Sequence, residues 1–248
     1  MMMEPDAYVA GLTVWFRSHD RPEKAIAMSA YMKNRYTFMG IQTPERNALL
    51  KAFLQAHGRP ESEQSLEQVV KLLWAQPERE FQNVAMSFLD ARGKRTVESR
   101  IMLLESLIME KSWWDTVDFL AGNAVGSYLT HYPEQIATYP DRWIQSNNLW
   151  LRRSALLFQL GYKQRTNEEL LFRYIRACAH EKEFFIAKAI GWALRQYARI
   201  NPDAVLAFVA NESLQPLSKR EALKRLAAHD GQFNATKDEG REGSSSNI

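Results

Sequence analysis

The segment WDTVD, Trp114 to Asp118, is one of four segments that share a frame and together decide the fold. In each of them a large aromatic residue is followed, four residues later, by a second position on the same face of a helix. The other three segments are FQNVA (81–85), WLRRS (150–154) and FIAKA (185–189). These carry Ala or Ser at the second position, where the first segment carries Asp118. Because a carboxylate on a tightly packed face is costly unless it is paired or solvated, Asp118 is a candidate functional residue.

The spacing of the four aromatic residues predicts stacked pairs of helices. They lie 33, 36 and 35 residues apart, and a further step of 32 residues reaches Leu217. A period near 35 residues is typical of α-solenoids built from HEAT, armadillo or TPR repeats, in which each helix pair buries its apolar face only against the next pair. Such stacks curve, so we expect a concave groove as the binding surface. With few glycines and no strand-like alternation, the sequence predicts an all-α fold.

No linker divides the repeats, so we expect a single domain over residues 1–230. Its helices are expected to include about 22–35, 113–130 and 134–144. The remaining segment, Gly231–Ile248, is rich in Gly, Ser and charged residues and has almost no apolar content. This composition predicts a disordered tail.

The composition is that of a soluble globular protein. Of 248 residues, 46% are hydrophobic and 25% are charged, and no run of apolar residues is long enough to span a membrane. The N-terminus lacks the basic start and long apolar run of a secretory signal. Cys178 is the sole cysteine, which excludes an internal disulfide and fits a reducing compartment. We expect a cytoplasmic protein that acts as a monomer and does not bind membranes.

Positive charge is concentrated in the second half of the chain. Residues 141–230 contain 15 Lys and Arg against 9 Asp and Glu, which favours a polyanionic partner. Three residues after the first residue of the frame, which is Trp150, Phe185 or Leu217, successive repeats have Arg153, Lys188 and Arg220. A cation at one register in successive repeats builds a stripe that can follow phosphate groups. A solvated helix face or salt bridges to neighbouring repeats explain the same pattern equally well, and both interpretations stay open here.

Other kinds of reactive site are not indicated by the sequence. The histidines are scattered without zinc-ligand spacing, and no phosphate-binding glycine loop, nucleophile elbow or paired-cysteine motif is present. We therefore expect no metal and no cofactor. Asp115, next to Trp114 but on another helical face, is expected to cap the helix or carry a surface charge.

Trp114, Asp118 and the basic stripe suggest one kind of chemistry. Trp192 adds a second indole, seven residues after Phe185 on the same predicted face. Indole faces attract cations, a carboxylate stabilises positive charge and orients water, and lysines and arginines hold a polyanion. DNA with an alkylated purine combines a cationic base with a polyanionic backbone. Cleavage of its glycosidic bond develops positive charge on the deoxyribose, which a carboxylate stabilises, and the cationic leaving group needs no strong acid.

Several segments resemble the bacterial AlkD family of DNA alkylation-repair glycosylases. They are KSWWDTVDF (111–119), YMKNRYTFMGIQTPER (31–46), NLWLRRSALLFQLGYKQ (148–164), EFFIAKAIGWALRQYA (183–198) and NPDAV with LSKREALKR (201–225). The resemblance covers about residues 5–230. It implies HEAT-like repeats that clasp duplex DNA in a concave face. It also implies excision of cationic N3- and N7-alkylpurines without a metal or cofactor, and without drawing the base into a pocket.

The resemblance also implies roles for individual residues. The family's catalytic aspartate falls on Asp118, and its two active-site tryptophans fall on Trp114 and Trp192. An arginine that contacts the DNA backbone falls on Arg153, and an aromatic residue near the lesion falls on Tyr31.

Two functional hypotheses from different classes follow. The first is a monofunctional DNA glycosylase that hydrolyses the glycosidic bond of alkylated purines in duplex DNA and leaves an abasic site. The alternative is a non-catalytic HEAT-repeat scaffold that binds nucleic acid or protein, since solenoids are mostly binding modules. Asp118 could then be structural, paired with a neighbouring arginine. The combination of Trp114, Asp118 and Trp192 favours the glycosylase.

Overall fold

The computed structural model describes residues 3–91, 96–224 and 226, which are helical almost throughout. This part of the chain contains no β-strand, and one isolated bridge joins Thr37 to Glu78. The expected all-α fold is therefore confirmed. No helix in the described ranges combines the length and the apolar character that a membrane crossing requires. The tail expected over 231–248 lies outside the described residues.

The chain divides into two compact units, Met1–His131 and Tyr132–Ile248. The helices of the first unit are α1 (Pro5–Arg17), α2 (Pro22–Tyr31), α3 (Thr43–His57), α4 (Glu63–Ala75), α5 (Arg79–Ala91), α6 (Arg100–Met109), α7 (Trp114–Phe119) and α8 (Gly126–His131), with a π-helical segment, Leu120–Val125, between α7 and α8. Those of the second unit are α9 (Pro140–Trp143), α10 (Leu149–Leu157), α11 (Glu168–Cys178), α12 (Phe184–Tyr197), α13 (Pro202–Asn211) and α14 (Pro216–Leu223), with 3-10 turns at Pro133–Ile136 and Lys163–Arg165.

Helix starts follow local signals in the sequence. Proline occupies the first turn of α1, α2, α3, α13 and α14, where its missing N–H group is not needed. The side chain of Asn148 accepts hydrogen bonds from the backbone N–H groups of Trp150 and Leu151 at 2.8 and 3.3 Å. Asn201 caps α13 in the same way through the N–H of Ala204 at 3.2 Å. Each cap satisfies donors that a helix start leaves without a partner.

Helices that carry the repeated frame pack beside one another within each unit. In the first unit α5 packs against α7, and in the second α10 packs against α12, which packs against α14. The second frame positions Ala85, Ser154 and Ala189 are fully buried between these helices, which explains their small side chains. This stacking of successive repeats is that of an α-solenoid, as expected. Asp118 occupies the equivalent position and is only half-buried.

Three of the expected helices differ from their expected boundaries. In place of one helix over 134–144 there are a 3-10 turn, Pro133–Ile136, and the short α9, which begins at Pro140 because proline lacks the N–H group that a continuous helix needs. The other two differ because of local backbone geometry. We expected α2 to continue to residue 35, but it ends at Tyr31 because Lys33 and Asn34 have left-handed φ values of 58° and 55°. The helix expected over 113–130 is present, but the wider π-helical turns interrupt it directly after Phe119.

Close packing of α12 on α14 depends on Gly191. A Cβ atom at this position would lie 2.4 Å from Cβ of Glu221 and 2.9 Å from the backbone oxygen of Ser218. The hydroxyl of Ser218 also donates a hydrogen bond to the backbone oxygen of Ala187 at 2.9 Å. The two helices thus touch through their backbones, which only a glycine allows.

We expect Gly191→Ala to lower the free energy of unfolding by about 1–3 kcal/mol, because the added methyl group overpacks this contact. The matched control is Gly11→Ala within α1, where an added Cβ would meet only ordinary contacts at 3.9 and 4.0 Å. That substitution should leave stability unchanged or raise it by up to about 1 kcal/mol, since Ala favours helices. Urea unfolding of both variants measures the difference, and equal effects would contradict the role assigned to Gly191.

Candidate active site

The backbone that leads into α7 is held by side chains from earlier elements. The indole N–H of Trp74 donates to the backbone oxygen of Glu110 at 3.1 Å. Lys111 adopts a left-handed φ of 48°, and its ammonium group donates to the backbone oxygen of Ala75 at 2.9 Å. The hydroxyl of Tyr36 donates to the backbone oxygen of Lys111 at 2.8 Å. Helix α7 therefore starts from a fixed point.

The strongest of these anchors is Arg79, at the start of α5. Its guanidinium is 0% exposed and donates two hydrogen bonds to the carboxylate of Asp115, at 2.9 and 2.6 Å. It also donates to the backbone oxygen of Lys111 at 2.8 Å and to the hydroxyl of Thr116 at 3.0 Å. The ring of Tyr36 lies 3.9 Å from the guanidinium carbon. A buried charge with these partners fixes both the position and the rotation of α7.

The expectation that Asp115 caps a helix or carries a surface charge is therefore wrong. It is one half of an ion pair that joins two successive frame helices, and its side chain is only 17% exposed. Sequence analysis did not single out Arg79. The available signal was the separation of 36 residues between Arg79 and Asp115, which is one repeat period.

Next to Arg79, Glu80 holds a different segment of the chain. Its buried carboxylate accepts hydrogen bonds from the backbone N–H groups of Met39, Gly40 and Ile41 at 3.2, 2.9 and 3.1 Å. Burial raises the pKa of Glu80, and these N–H groups oppose that effect. The two neighbouring residues of α5 thus fix α7 on one side and the connection between α2 and α3 on the other.

Within the first unit, Tyr31 contacts Trp114, and Asp118 lies one helical turn further along α7. Trp114 and Asp118 lie one turn apart on α7, and both are half-buried. Tyr31, the last residue of α2, is 71% exposed, and its ring meets that of Trp114 edge to face at 5.9 Å between centroids. An exposed tyrosine on an indole beside a carboxylate forms an accessible aromatic and acidic surface.

A cation that the sequence analysis missed lies close to this surface. Arg35 is exposed, and its guanidinium carbon lies 4.2 Å from the ring centre of Trp113. The left-handed residues Lys33 and Asn34 turn the chain after α2 and bring Arg35 there. The segment that follows Tyr31 therefore adds positive charge next to α7.

In the second unit, Trp192 is half-buried on α12 and lies near a cluster of charged residues. The centre of this cluster is Glu221 of α14, whose side chain is only 5% exposed. Its carboxylate binds the ammonium groups of Lys188 at 2.9 Å and Lys224 at 2.6 Å, and the guanidinium of Arg195 at 2.7 Å. Hydrogen bonds from Lys224 and Lys188 lower the pKa of Glu221 to about 2. With three cations around one carboxylate, the cluster keeps a positive charge.

The three cations of the predicted stripe lie in different environments. Arg153 is only 5% exposed, and its guanidinium donates to the backbone oxygen of Phe185 and lies over that ring at 5.8 Å. Lys188 binds Glu221, whereas Arg220 is exposed. Arg153 is buried because α10 packs against α12, which carries Phe185, whereas the same register leaves Arg220 exposed. Salt bridging, the alternative left open by the sequence, therefore accounts for Lys188.

Other reactive groups in the described ranges do not form a second site of this kind. No group of three His, Cys, Asp or Glu residues in them is arranged to hold a metal ion. Cys178 is buried, and burial raises the pKa of its thiol to about 12. It is therefore an inert core cysteine.

Fold and surface together define a class of proteins: all-α repeat proteins with an acidic and aromatic surface close to basic residues. Residues 14–226 match the family model described as DNA alkylation repair enzyme, so the chain belongs to this family. A solved structure described as a predicted DNA alkylation repair enzyme from Enterococcus faecalis is 36% identical, with a TM-score of 0.78. The match covers 84% of this chain and 97% of that one. No curated protein matches the chain in sequence.

Removal of the negative charge of Asp115 should strongly destabilise the protein. We expect Asp115→Asn to lower the free energy of unfolding by about 3–5 kcal/mol, because it leaves the Arg79 guanidinium buried without its counter-ion. The control is Glu45→Gln, which breaks a surface pair with Arg21, whose side chain is 41% exposed. That change should cost less than about 1 kcal/mol. Chemical denaturation measures both, and a similar small loss in the two variants would show that the buried pair does not anchor α7.

The charge cluster on α14 predicts a specific pH dependence. The pKa of Glu221 is about 2 in the folded protein, against an ordinary value of about 4.3 for an unfolded glutamate. Its contribution to stability is therefore fully present above about pH 4.3 and is lost as the pH falls towards 2. We expect Glu221→Gln to be less stable than the wild type at neutral pH, with a difference in Tm that shrinks below about pH 4.3. A difference that stays constant down to pH 3 would contradict the assignment.

Proposed function

We propose that this protein is a monofunctional DNA glycosylase that hydrolyses the N-glycosidic bond of positively charged N3- and N7-alkylpurines in duplex DNA and leaves an abasic site. The observation that carries the proposal is the surface formed by Tyr31, Trp114 and Asp118. It places a half-buried carboxylate one helical turn from an indole, on a helix that a buried ion pair anchors.

In the proposed reaction, Asp118 acts on the sugar rather than on the base. An alkylated purine already carries a positive charge, so it leaves without protonation by a strong acid. As its bond to C1′ breaks, positive charge develops on the deoxyribose ring, and the Asp118 carboxylate stabilises that charge. Water, oriented by Asp118, then attacks C1′, and its proton passes to bulk solvent, which yields the abasic site.

Electrostatic stabilisation of this kind works best when the charged group does not have to move. Arg79 and Asp115 fix the first turn of α7, and Asp118 follows within one turn. Trp114 presents an indole whose face attracts a cationic sugar or base. Tyr31, exposed beside Trp114, extends this contact surface.

Residues of the second unit are proposed to contact the same duplex. Trp192 would contribute a second indole at the lesion. Arg220 is exposed and can bind a phosphate directly, whereas the buried Arg153 would act as a charge in a fixed position near the backbone. Lys188 belongs to a cluster that keeps a positive charge around Glu221, and that charge favours a polyanion. One protein monomer would act on each lesion, and neither a metal nor a cofactor enters the reaction.

Base release from duplex DNA that contains N7-methylguanine tests the proposal. We expect the wild type to release the modified base and Asp118→Asn to be slower by about 100-fold or more, because the developing charge loses its stabilisation. Single-turnover reactions followed by chromatography of the free base measure the rate. The matched control is Asp203→Asn, which removes an exposed acid from the start of α13 and should act at the wild-type rate.

A folded Asp118→Asn variant that binds duplex and still releases base at the wild-type rate would show that the mechanism is wrong. A wild-type protein that binds duplex with a steep salt dependence, but releases no alkylated base, would instead be the non-catalytic scaffold.

A further inference from the structure

A cavity of about 360 Å³ opens beside α7 in the first unit. Its lining includes the arginines Arg46 and Arg59, Asn83 and Ser87 of α5, and Asp115 and Phe119 of α7. Neither arginine has a part in the surface formed by Tyr31, Trp114 and Asp118. The cavity is therefore a separate feature that shares one helix with that surface.

Arg46 is the unusual member of this lining. Its Nε atom is buried and has no hydrogen-bond partner within the described structure. Burial also lowers the pKa of its guanidinium, an effect that the nearby Glu80 opposes. The carboxylate oxygens of Glu80 accept hydrogen bonds from the backbone N–H groups of residues 39–41, so Glu80 does not supply the missing acceptor for Arg46. A buried donor without an acceptor is unfavourable, so an anion that reaches this guanidinium gains a hydrogen bond that the protein does not supply.

The charge of the cavity is positive. Arg59 is exposed, with its guanidinium carbon 5.8 Å from the ring centre of Phe88. Asp115 is the acid in the lining, but both of its carboxylate oxygens accept hydrogen bonds from Arg79. The pair of Asp115 and Arg79 has no net charge. The net charge of the lining is therefore the positive charge of Arg46 and Arg59.

The two polar residues of α5 bind their own helix. The hydroxyl of Ser87 donates to the backbone oxygen of Asn83 at 3.1 Å, and the side-chain amide of Asn83 donates to the backbone oxygen of Arg79 at 3.0 Å. The donors left for a ligand are therefore the guanidinium groups of Arg46 and Arg59. Two guanidinium groups suit an anion with several acceptor oxygens in a tetrahedral arrangement, which is a phosphate group.

We propose that this cavity binds a phosphate group of the DNA backbone through Arg46 and Arg59. The inference rests on the proposed function, because duplex DNA supplies the phosphodiester. Asp115 and Phe119, which line the cavity, flank Asp118 along α7. A phosphate held here fixes the strand within about one helical turn of the carboxylate, so the two arginines align the sugar with Asp118.

Binding of an undamaged duplex to Arg46→Gln and Arg59→Gln tests this assignment. Fluorescence anisotropy between about 50 and 200 mM salt gives the affinity and its salt dependence. We expect each substitution to weaken binding about tenfold at the lowest salt, and to reduce the slope of log K against log salt by about 0.9 for each lost phosphate contact. Lys51→Gln is the matched control, since it removes a positive charge from the exposed face of the same helix α3 and should leave the slope unchanged.

Arg46 is partly buried, so circular dichroism and urea unfolding first establish that Arg46→Gln folds. Arg59 is exposed, and its substitution tests the site even if Arg46→Gln does not fold. The proposal is wrong if the folded variants show the same slope of log K against log salt as the wild type. The other possible source of the ligand is free phosphate. Its binding is measured as a rise in the Tm of the wild type in inorganic phosphate, compared with chloride of equal ionic strength. If both variants lose this rise while their DNA slopes stay wild-type, the cavity binds free phosphate and the proposal is equally wrong.

Base release by the wild type separates this inference from the proposed function. If the wild type releases N7-methylguanine and the variants bind duplex as the wild type does, only the phosphate site is wrong. If the wild type neither binds duplex nor releases the base, the proposed function and the phosphate site both fail.

Discussion

The guanidinium of Arg79 is removed from water and gives its hydrogen bonds to Asp115, to Thr116 and to the backbone of Lys111. Burial of a charge is tolerated only when such partners replace its hydration. Because these partners lie on α7 and directly before it, α5 and α7 can pack in only one arrangement. The orientation of α7 follows from this constraint. The positions of Trp114 and Asp118, which lie one and three residues from Asp115, depend on it in turn.

Ion pairs between residues about one repeat apart recur along the chain and join one repeat to the next. Arg79 pairs with Asp115, Lys188 with Glu221, and Arg176 with Glu212. Separations of 36, 33 and 36 residues match the period of the apolar frame. Some of the positively charged residues that, by sequence, favour a polyanionic partner therefore form ion pairs between repeats instead. Only positive charge in excess of these pairs is available to a ligand. Such an excess exists around Glu221, where three cations surround one carboxylate.

The site in the first unit combines rigidity with access. Asp118 occupies a frame position that other repeats fill with a fully buried Ala or Ser, but it is half-buried and lies near an exposed tyrosine. A carboxylate in such a place keeps a fixed position without losing contact with a large substrate. The cavity lined by Arg46 and Arg59 adds a positive region beside the same helix. This division suits a substrate that has cationic character at one atom and negative charge along its backbone.

The sequence by itself determined the all-α fold, the repeat period, and the small residues at Ala85, Ser154 and Ala189, because these depend on the spacing of apolar side chains along single helices. It also predicted the grouping of Trp114 with Asp118, four residues apart on one helix. Only the tertiary structure decided which charges pair and which cation is buried, as at Arg153. An ion pair between repeats depends on how two separate helices are rotated against each other, and no local pattern in the chain specifies that rotation.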